Sequence, residues 1–514
     1  PDVRMTSAVV YAEDLDPASV VAVARRGARV ALGREARERV SASRGHVERM
    51  IDDAHPVYGV TTGFGALANT RIPAEKRLEL QQSLLRSHAA GMGPFVEAEV
   101  VRAMMAIRAK TLAAGYSGVR PELIDALISL LNADLAPAVP EHGSMGASGD
   151  LAPLAHVGLC LTGDGWMLER GEAVPARESL ERAGLQPLPP ATKEGLALIN
   201  GTDGMLAMLL LALEDLKVLL ETADVTAAMS VEALLGTDRV FREELHSLRP
   251  HPGQLASAGN IARLLRDSPI VASHRDSPHL VQDAYSLRCA PQVYGAARDT
   301  MEHAALVASR ELDSITDNPV VLPDGRVESV GNFHGEPLAF ALDFLAIAAS
   351  EVGAITERRI DRMLDPKRSE GLPAFLSPLP GVNSGFMIPH YTAAALAEEN
   401  RRLANPASTG SLPTSAMQED HNSMGWGAGR KLRLLLGNVA RILAVEAACA
   451  AQALDLRAPL KPGPATSAVL ARIRQDIPFI ERDDFMAPHL RTAEELVTTG
   501  TLARAAEDVL GTLQ

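Results

Sequence analysis

Cysteine is nearly absent from this 514-residue chain. The three present, Cys160, Cys289 and Cys449, are too far apart to form a CxxC pair. A disulfide framework and a cysteine zinc cluster are thereby excluded, and a reduced, cytoplasmic setting is expected. Positive charge is also short: 50 Lys and Arg face 64 Asp and Glu, a net charge of −14. Binding to a phosphate backbone needs the opposite balance, so neither nucleic acid nor an anionic membrane is an expected partner. The longest apolar runs, such as 205–213, stop well short of the ~18–20 residues that cross a bilayer. The opening PDVRMTSAVVYAEDLD carries acidic residues and one short apolar stretch, so no secretory leader is expected. No repeat of 20–50 residues is evident, which excludes a solenoid. Aromatics are scarce, with two Trp, six Tyr and ten Phe.

What is present is ordinary globular material, 46% hydrophobic and 22% charged. Its pattern is helical. Leu435, Leu436, Val439, Ile442, Leu443, Ala447 and Ala450 follow the i, i+3, i+4, i+7 spacing of a long amphipathic helix starting near Leu432. Pro337 opens another, with Leu338, Ala341, Leu342, Leu345, Ala348 and Ala349 in one stripe. Residues 205–235 are apolar nearly all round and are expected to be buried on several sides. Alternating strand patterns are few; NPVVLPDGRV (318–327) predicts one small hairpin with an Asp-Gly turn. The expected fold class is mostly α. A mixed helical N-terminal domain, residues 1–205, precedes an elongated bundle of long helices, residues 206–514.

The segment Gly143-Ser-Met-Gly-Ala-Ser-Gly-Asp150 holds the most unusual chemistry. It is not a hydrolase elbow, because Asp150 stands where G-x-S-x-G needs glycine. It is not a phosphate loop, because no Gly-Lys-Ser/Thr follows. It reads either as a flexible loop or as a backbone that reacts with itself. In the second case the amide nitrogen of Gly149 attacks the carbonyl carbon of Ala147, and loss of water closes an imidazolone. A second water, from Ser148, leaves an exocyclic methylidene. Small neighbours and a β-hydroxyl are what this chemistry requires, and surrounding structure must enforce the bend.

Seven motifs in order add to this: YGVTTGFG (58–65), SHAAGMG (87–93), GSMGASGDLAPLAH (143–156), NGTDGM (200–205), QDAYSLRCAPQ (282–292), GNFHGEP (331–337) and QEDHNSMG (418–425). With them, nearly the whole chain resembles the aromatic amino acid ammonia-lyases and aminomutases that carry 4-methylideneimidazole-5-one (MIO). The resemblance implies that Ala147, Ser148 and Gly149 form the MIO, with no external cofactor. It also implies a homotetramer whose active sites are shared between subunits.

Roles follow by position from the same resemblance. Arg288 grips the substrate carboxylate, and Gln282 and Tyr285 line the same pocket; spaced three apart, the three are expected on one helix face. Asn200 bonds near the MIO. Tyr58 lies over the substrate as the favoured β-proton base, Phe333 shapes the wall, and Gln418 belongs to the binding set. Tyr58, Ser148, Tyr285 and Glu419 form the expected catalytic group. Substrate choice falls to Ser87-His88 and to Glu419. In the family a Ser-His pair goes with histidine, and a carboxylate complements an imidazole N–H where it would be stranded beside a phenyl ring. The expected reaction is loss of ammonia from L-histidine to give trans-urocanate. Glu419 is open to three readings: a base competing with Tyr58, an imidazole anchor, or both. Tyrosine- or phenylalanine-type lyase or aminomutase chemistry, or a non-catalytic helical scaffold, are the alternatives. No metal is expected. Glu419, Asp420 and His421 are adjacent, so on a helix they diverge by about 100° each, and no HExxH accompanies them.

Overall fold

The computed structural model describes residues 9–51, 62–63, 70–277, 279 and 281–514. Helices dominate, and the strands among the described residues pair only into four two-stranded sheets. The fold is mostly α, as the sequence implies.

The apolar stripes become buried faces. Along the helix Gly425–Leu456, every stripe residue from Leu435 to Ala450 is at most 4% exposed. On the helix Glu336–Leu364, Leu338, Ala341, Leu342, Leu345 and Ala349 are buried, whereas Ala348 is half-buried. Pro337 sits in its first turn, where the missing N–H has no intrahelical partner to lose. These two helices reach the length and mean hydropathy of a membrane span, which the run-by-run reading of the sequence had not anticipated. Their apolar windows are 61% and 83% buried inside the protein, the behaviour of core helices. The helix Asp203–Ala233 is enclosed over 205–212 and again over 222–233, with Glu214 and Lys217 exposed between.

The expected hairpin forms: Val320–Val321 pairs antiparallel with Val327–Glu328, and Gly325 adopts φ +91° in its turn. A second hairpin, Trp166–Glu169 with Glu172–Pro175, was not anticipated. Its two-residue turn places Arg170 and Gly171 at φ +51° and +86°; an Arg-Gly turn carries a weaker signal than Asp-Gly.

The chain packs as two compact units. One comprises Pro1–Leu211, Ala305–Asp343 and Pro406–Arg430; the other comprises Ala212–Ala304, Phe344–Asn405 and Lys431–Gln514. The chain first passes from one unit to the other after Leu211, and two later stretches return to the first unit, so neither unit is a single continuous segment.

The second unit is held partly by a buried polar cluster. Arg359 and Glu446 are both fully buried and ion-paired. Arg359 Nη2 donates to Glu446 Oε2 at 3.0 Å, Arg359 Nη1 donates to the Ser286 carbonyl at 3.1 Å, and Ser230 Oγ donates to Glu446 Oε1 at 2.8 Å. Arg359 also donates to the Tyr294 hydroxyl, whose pKa burial pushes up to about 12. Replacing Arg359 with methionine strands Glu446 without its countercharge. The expected cost is about 3–5 kcal/mol, read as a drop in the urea midpoint at unchanged m-value.

Candidate active site

The first unit bends the Gly143–Asp150 segment between two fixed walls. The strand Pro140–His142, paired with Met92–Phe95, leads into it, and the helix Leu151–Leu161 leaves it. Gly149 adopts φ +71° and pairs with Gly201; a Cβ there would lie 2.0 Å from the Gly201 carbonyl oxygen. Gly146, at φ +65°, leaves as little room: a Cβ would meet Ser423 Oγ at 2.1 Å. Both positions therefore require glycine, for conformation and for space.

Asp150 pins the far end. Its N–H donates to the Gly201 carbonyl at 2.7 Å. Its carboxylate, fully buried, accepts from the backbone N–H groups of Gly204 and Met205 at 2.9 Å each and from Ser144 Oγ at 3.0 Å. Burial pushes this carboxyl up to about 7 against the pull of those hydrogen bonds. The unfolded chain thus releases the proton near pH 4 while the folded one keeps it to about pH 7, so this group's contribution to stability falls as pH rises across that window. Asp150→Asn removes the slope. Relative to the parent, its stability is expected to improve by on the order of 4 kcal/mol between pH 4 and pH 7, measured by urea melts at each pH.

Asn200 faces the loop from the other side. It is 1% exposed and caps the short helix Glu194–Ile199. Ser148 Oγ donates to Asn200 Oδ1 at 2.7 Å, and Asn200 Nδ2 donates to the Asn318 carbonyl at 2.8 Å. Two buried ion pairs hold this turn. Arg108, inside the apolar helix Ala98–Ala113, pairs with Asp203, and its Nη1 donates to the carbonyls of Ala197 and Asn200 at 3.0 and 3.1 Å. Lys193 Nζ meets Asp317 Oδ2 at 2.8 Å with both side chains fully buried. Lys193 precedes the Glu194–Ile199 helix and Asn200 ends it, so the two ends are tied to adjacent residues, Asp317 and Asn318. The sequence reading missed Arg108, Lys193, Asp203 and Asp317. Its available signal was weak: Arg108 is one of three basic residues, with Arg102 and Lys110, in a mostly apolar helix.

The remaining first-unit candidates lie on loops or helix ends. His88 ends the helix Arg77–His88, with Ser87 Oγ 3.0 Å from its Nδ1. Burial lowers the imidazole pKa, while a hydrogen bond to Leu84 and the negative charge of Glu419 act the other way. The two expected selectivity positions are therefore within electrostatic reach of each other. Glu419 is half-buried and accepts from Thr414 Oγ1 at 2.8 Å. Gln418 beside it is exposed, and Ser415, Ala416 and Met417 just before it all have positive φ, between 50° and 71°. Three such residues in a row are a local strain that the surrounding fold must hold. Phe333 is half-buried in the segment ahead of the helix Glu336–Leu364. Tyr58 lies outside the described residues.

In the second unit the expected one-face helix is corrected. Only Tyr285–Arg288 is helical, a single turn, and Gln282 precedes it. The three side chains still meet. Arg288 Nη2 donates to Gln282 Oε1 at 2.6 Å, and the guanidinium sits 4.6 Å from the centroid of the Tyr285 ring. Stacking and the amide pre-orient the guanidinium.

The first unit thus holds a loop bent by two obligate glycines with a buried Asn at its serine, and the second unit holds a pre-oriented arginine. The match to the family model for aromatic amino acid lyases covers residues 15–475, and the chain belongs to that family. It is 54% identical to the histidine ammonia-lyase of Streptomyces avermitilis, over 99% of this chain and all of the relative. Among solved structures, it resembles tyrosine aminomutase from Streptomyces globisporus at 37% identity and TM-score 0.92, over 99% of this chain and 100% of that one. Histidine ammonia-lyase from Trypanosoma cruzi follows at 39% identity and TM-score 0.89, over 97% and 95% of the two chains.

Proposed function

We propose that this chain is a histidine ammonia-lyase, converting L-histidine to trans-urocanate and ammonia through an MIO made from Ala147, Ser148 and Gly149. The observation that carries the reading is the loop itself. Gly149 is held at φ +71° against Gly201, and the hydroxyl of Ser148, which must leave, is already bonded to Asn200. Attack of the Gly149 nitrogen on the Ala147 carbonyl carbon, with loss of two waters, is the chemistry this bend favours. The ring so formed supplies an electrophilic carbon that no standard side chain offers.

The chain's own groups do the rest. Arg288 receives the substrate carboxylate, Gln282 and Tyr285 having fixed its plane, and Asn200 adds a polar contact. His88 and Glu419 offer the imidazole ring a polar pair, while Phe333 and Gln418 complete the wall. Removal of the β-proton falls to Tyr58 or Glu419. Arg288→Lys keeps the charge but loses the paired donors, and KM for L-histidine is expected to rise roughly 10–100-fold with a smaller change in kcat.

A homotetramer with shared sites accompanies this reading. A groove of 830 Å³ in the second unit, walled in part by Val293, Ala297, Phe344 and Ile347, is the kind of apolar surface that further copies cover. A reduced, cytoplasmic setting goes with the same reading.

The likeness to tyrosine aminomutase gives one rival, the same scaffold acting on a phenol or phenyl ring. Incubation with L-histidine decides between them. The conjugated product absorbs in the near ultraviolet; absence of that band, with a cinnamate or coumarate band from another amino acid, favours the rival.

A further inference from the structure

In the sequence QEDH, Glu419 and Asp420 are the acidic neighbours of His421. The structure turns His421 elsewhere. Its Nδ1 lies 3.3 Å from His334 Nε2, and the two rings stack with centroids 5.4 Å apart and planes 25° from parallel. Glu336, two residues beyond His334 and first in the helix Glu336–Leu364, is the third member. Its Oε2 stands 3.9 Å from His334 Nδ1. That oxygen is shut off from solvent and has no hydrogen-bond partner among the described residues. One donor atom from each of the three lies within 4.8 Å of the others.

We propose that His334, Glu336 and His421 form a binding site for a divalent cation of the zinc class. Two imidazoles and one carboxylate are a donor set that suits Zn²⁺ and disfavours Mg²⁺ or Ca²⁺, which take oxygen ligands. At tetrahedral zinc, with Zn–N near 2.0–2.1 Å, two nitrogens stand about 3.3–3.4 Å apart. The observed 3.3 Å already matches. A hydrogen bond between the two rings explains that distance as well, but it leaves the buried Glu336 oxygen without a donor. A cation held by His421 Nδ1 and His334 Nε2 satisfies both once the Glu336 carboxylate, now nearest to the other His334 nitrogen, rotates toward it, and leaves a fourth position for water. The negative charge of Glu336 offsets part of the cation's charge. The bound ion joins the segment carrying Phe333 to the segment carrying Gln418 and Glu419, so its role is to fix two walls of the candidate site against each other. The inference rests on these three side chains alone and not on the reaction proposed above.

The test is a titration of the untagged, chelator-treated full chain with Co²⁺, followed by visible absorption. One Co²⁺ per chain, with the strong bands of a four-coordinate ion and displacement by Zn²⁺, is the expected result. His421→Ala and Glu336→Gln are each expected to weaken uptake at least ~100-fold, the upper end of what loss of a mere supporting contact costs, with the helical circular dichroism retained. His421 is exposed, so its truncation removes little packing. Failure of the parent protein to develop four-coordinate bands overturns the proposal, whatever the variants do. So does Co²⁺ binding of equal strength in the parent and in both variants.

Discussion

Ser148→Ala is expected to leave the fold intact and abolish turnover. The serine is half-buried, and among the described residues its side chain bonds to Asn200 alone, so truncation is expected to cost about 1–2 kcal/mol of stability. The chemical consequence is of a different order. On the proposed chemistry, alanine has no β-hydroxyl to lose, so no methylidene forms and the electrophile is missing. Activity on L-histidine is expected to fall roughly 10³–10⁶-fold, the scale seen when a central catalytic group is removed. Circular dichroism at parental strength together with lost urocanate production is the result that fits. Retained activity at even a tenth of the parent's would show that the reaction does not use this loop.

Arg108→Met is expected to act on both stability and maturation. Arg108 and Asp203 are each 1% exposed, and removing the guanidinium leaves a buried carboxylate alone, at about 3–5 kcal/mol. The carbonyls of Ala197 and Asn200 lose a donor as well, at about 1–3 kcal/mol each if water does not replace it. Against a total stability of about 5–15 kcal/mol, much of the protein should be unfolded or insoluble. The pair Arg108→Met with Asp203→Leu separates the two effects. An apolar pair restores much of the stability, because no buried charge is left unpaired. It does not restore the donor to the Asn200 carbonyl, so the doubly substituted protein should fold and form the ring slowly or incompletely. Full and rapid maturation in the double variant would show that Arg108 only stabilises and does not position the turn.

The parts of this molecule legible in its sequence are those set by local periodicity or by backbone chemistry. The stripe from Leu435 to Ala450 and the Asp-Gly hairpin at 324–325 fall in the first class. The Ala-Ser-Gly bend falls in the second, since only small residues and a hydroxyl suit it. What holds that bend was not legible. Arg108 lies 95 residues from Asp203 and Lys193 lies 124 from Asp317, and no local pattern links partners so distant. Asp150 was visible only as the residue that spoils a hydrolase elbow, although it anchors the loop to two backbone N–H groups. Helical spacing suggested one face for Gln282, Tyr285 and Arg288. Their meeting instead comes from one short turn and the bond from Arg288 to Gln282, an arrangement that spacing alone misdescribes.

The most direct test is the intact mass of the purified chain, combined with the mass of a proteolytic fragment spanning residues 143–150. The account predicts a chain lighter by two waters, with the whole deficit in that fragment. An enzyme that turns over L-histidine while this fragment keeps its full, unmodified mass would contradict it.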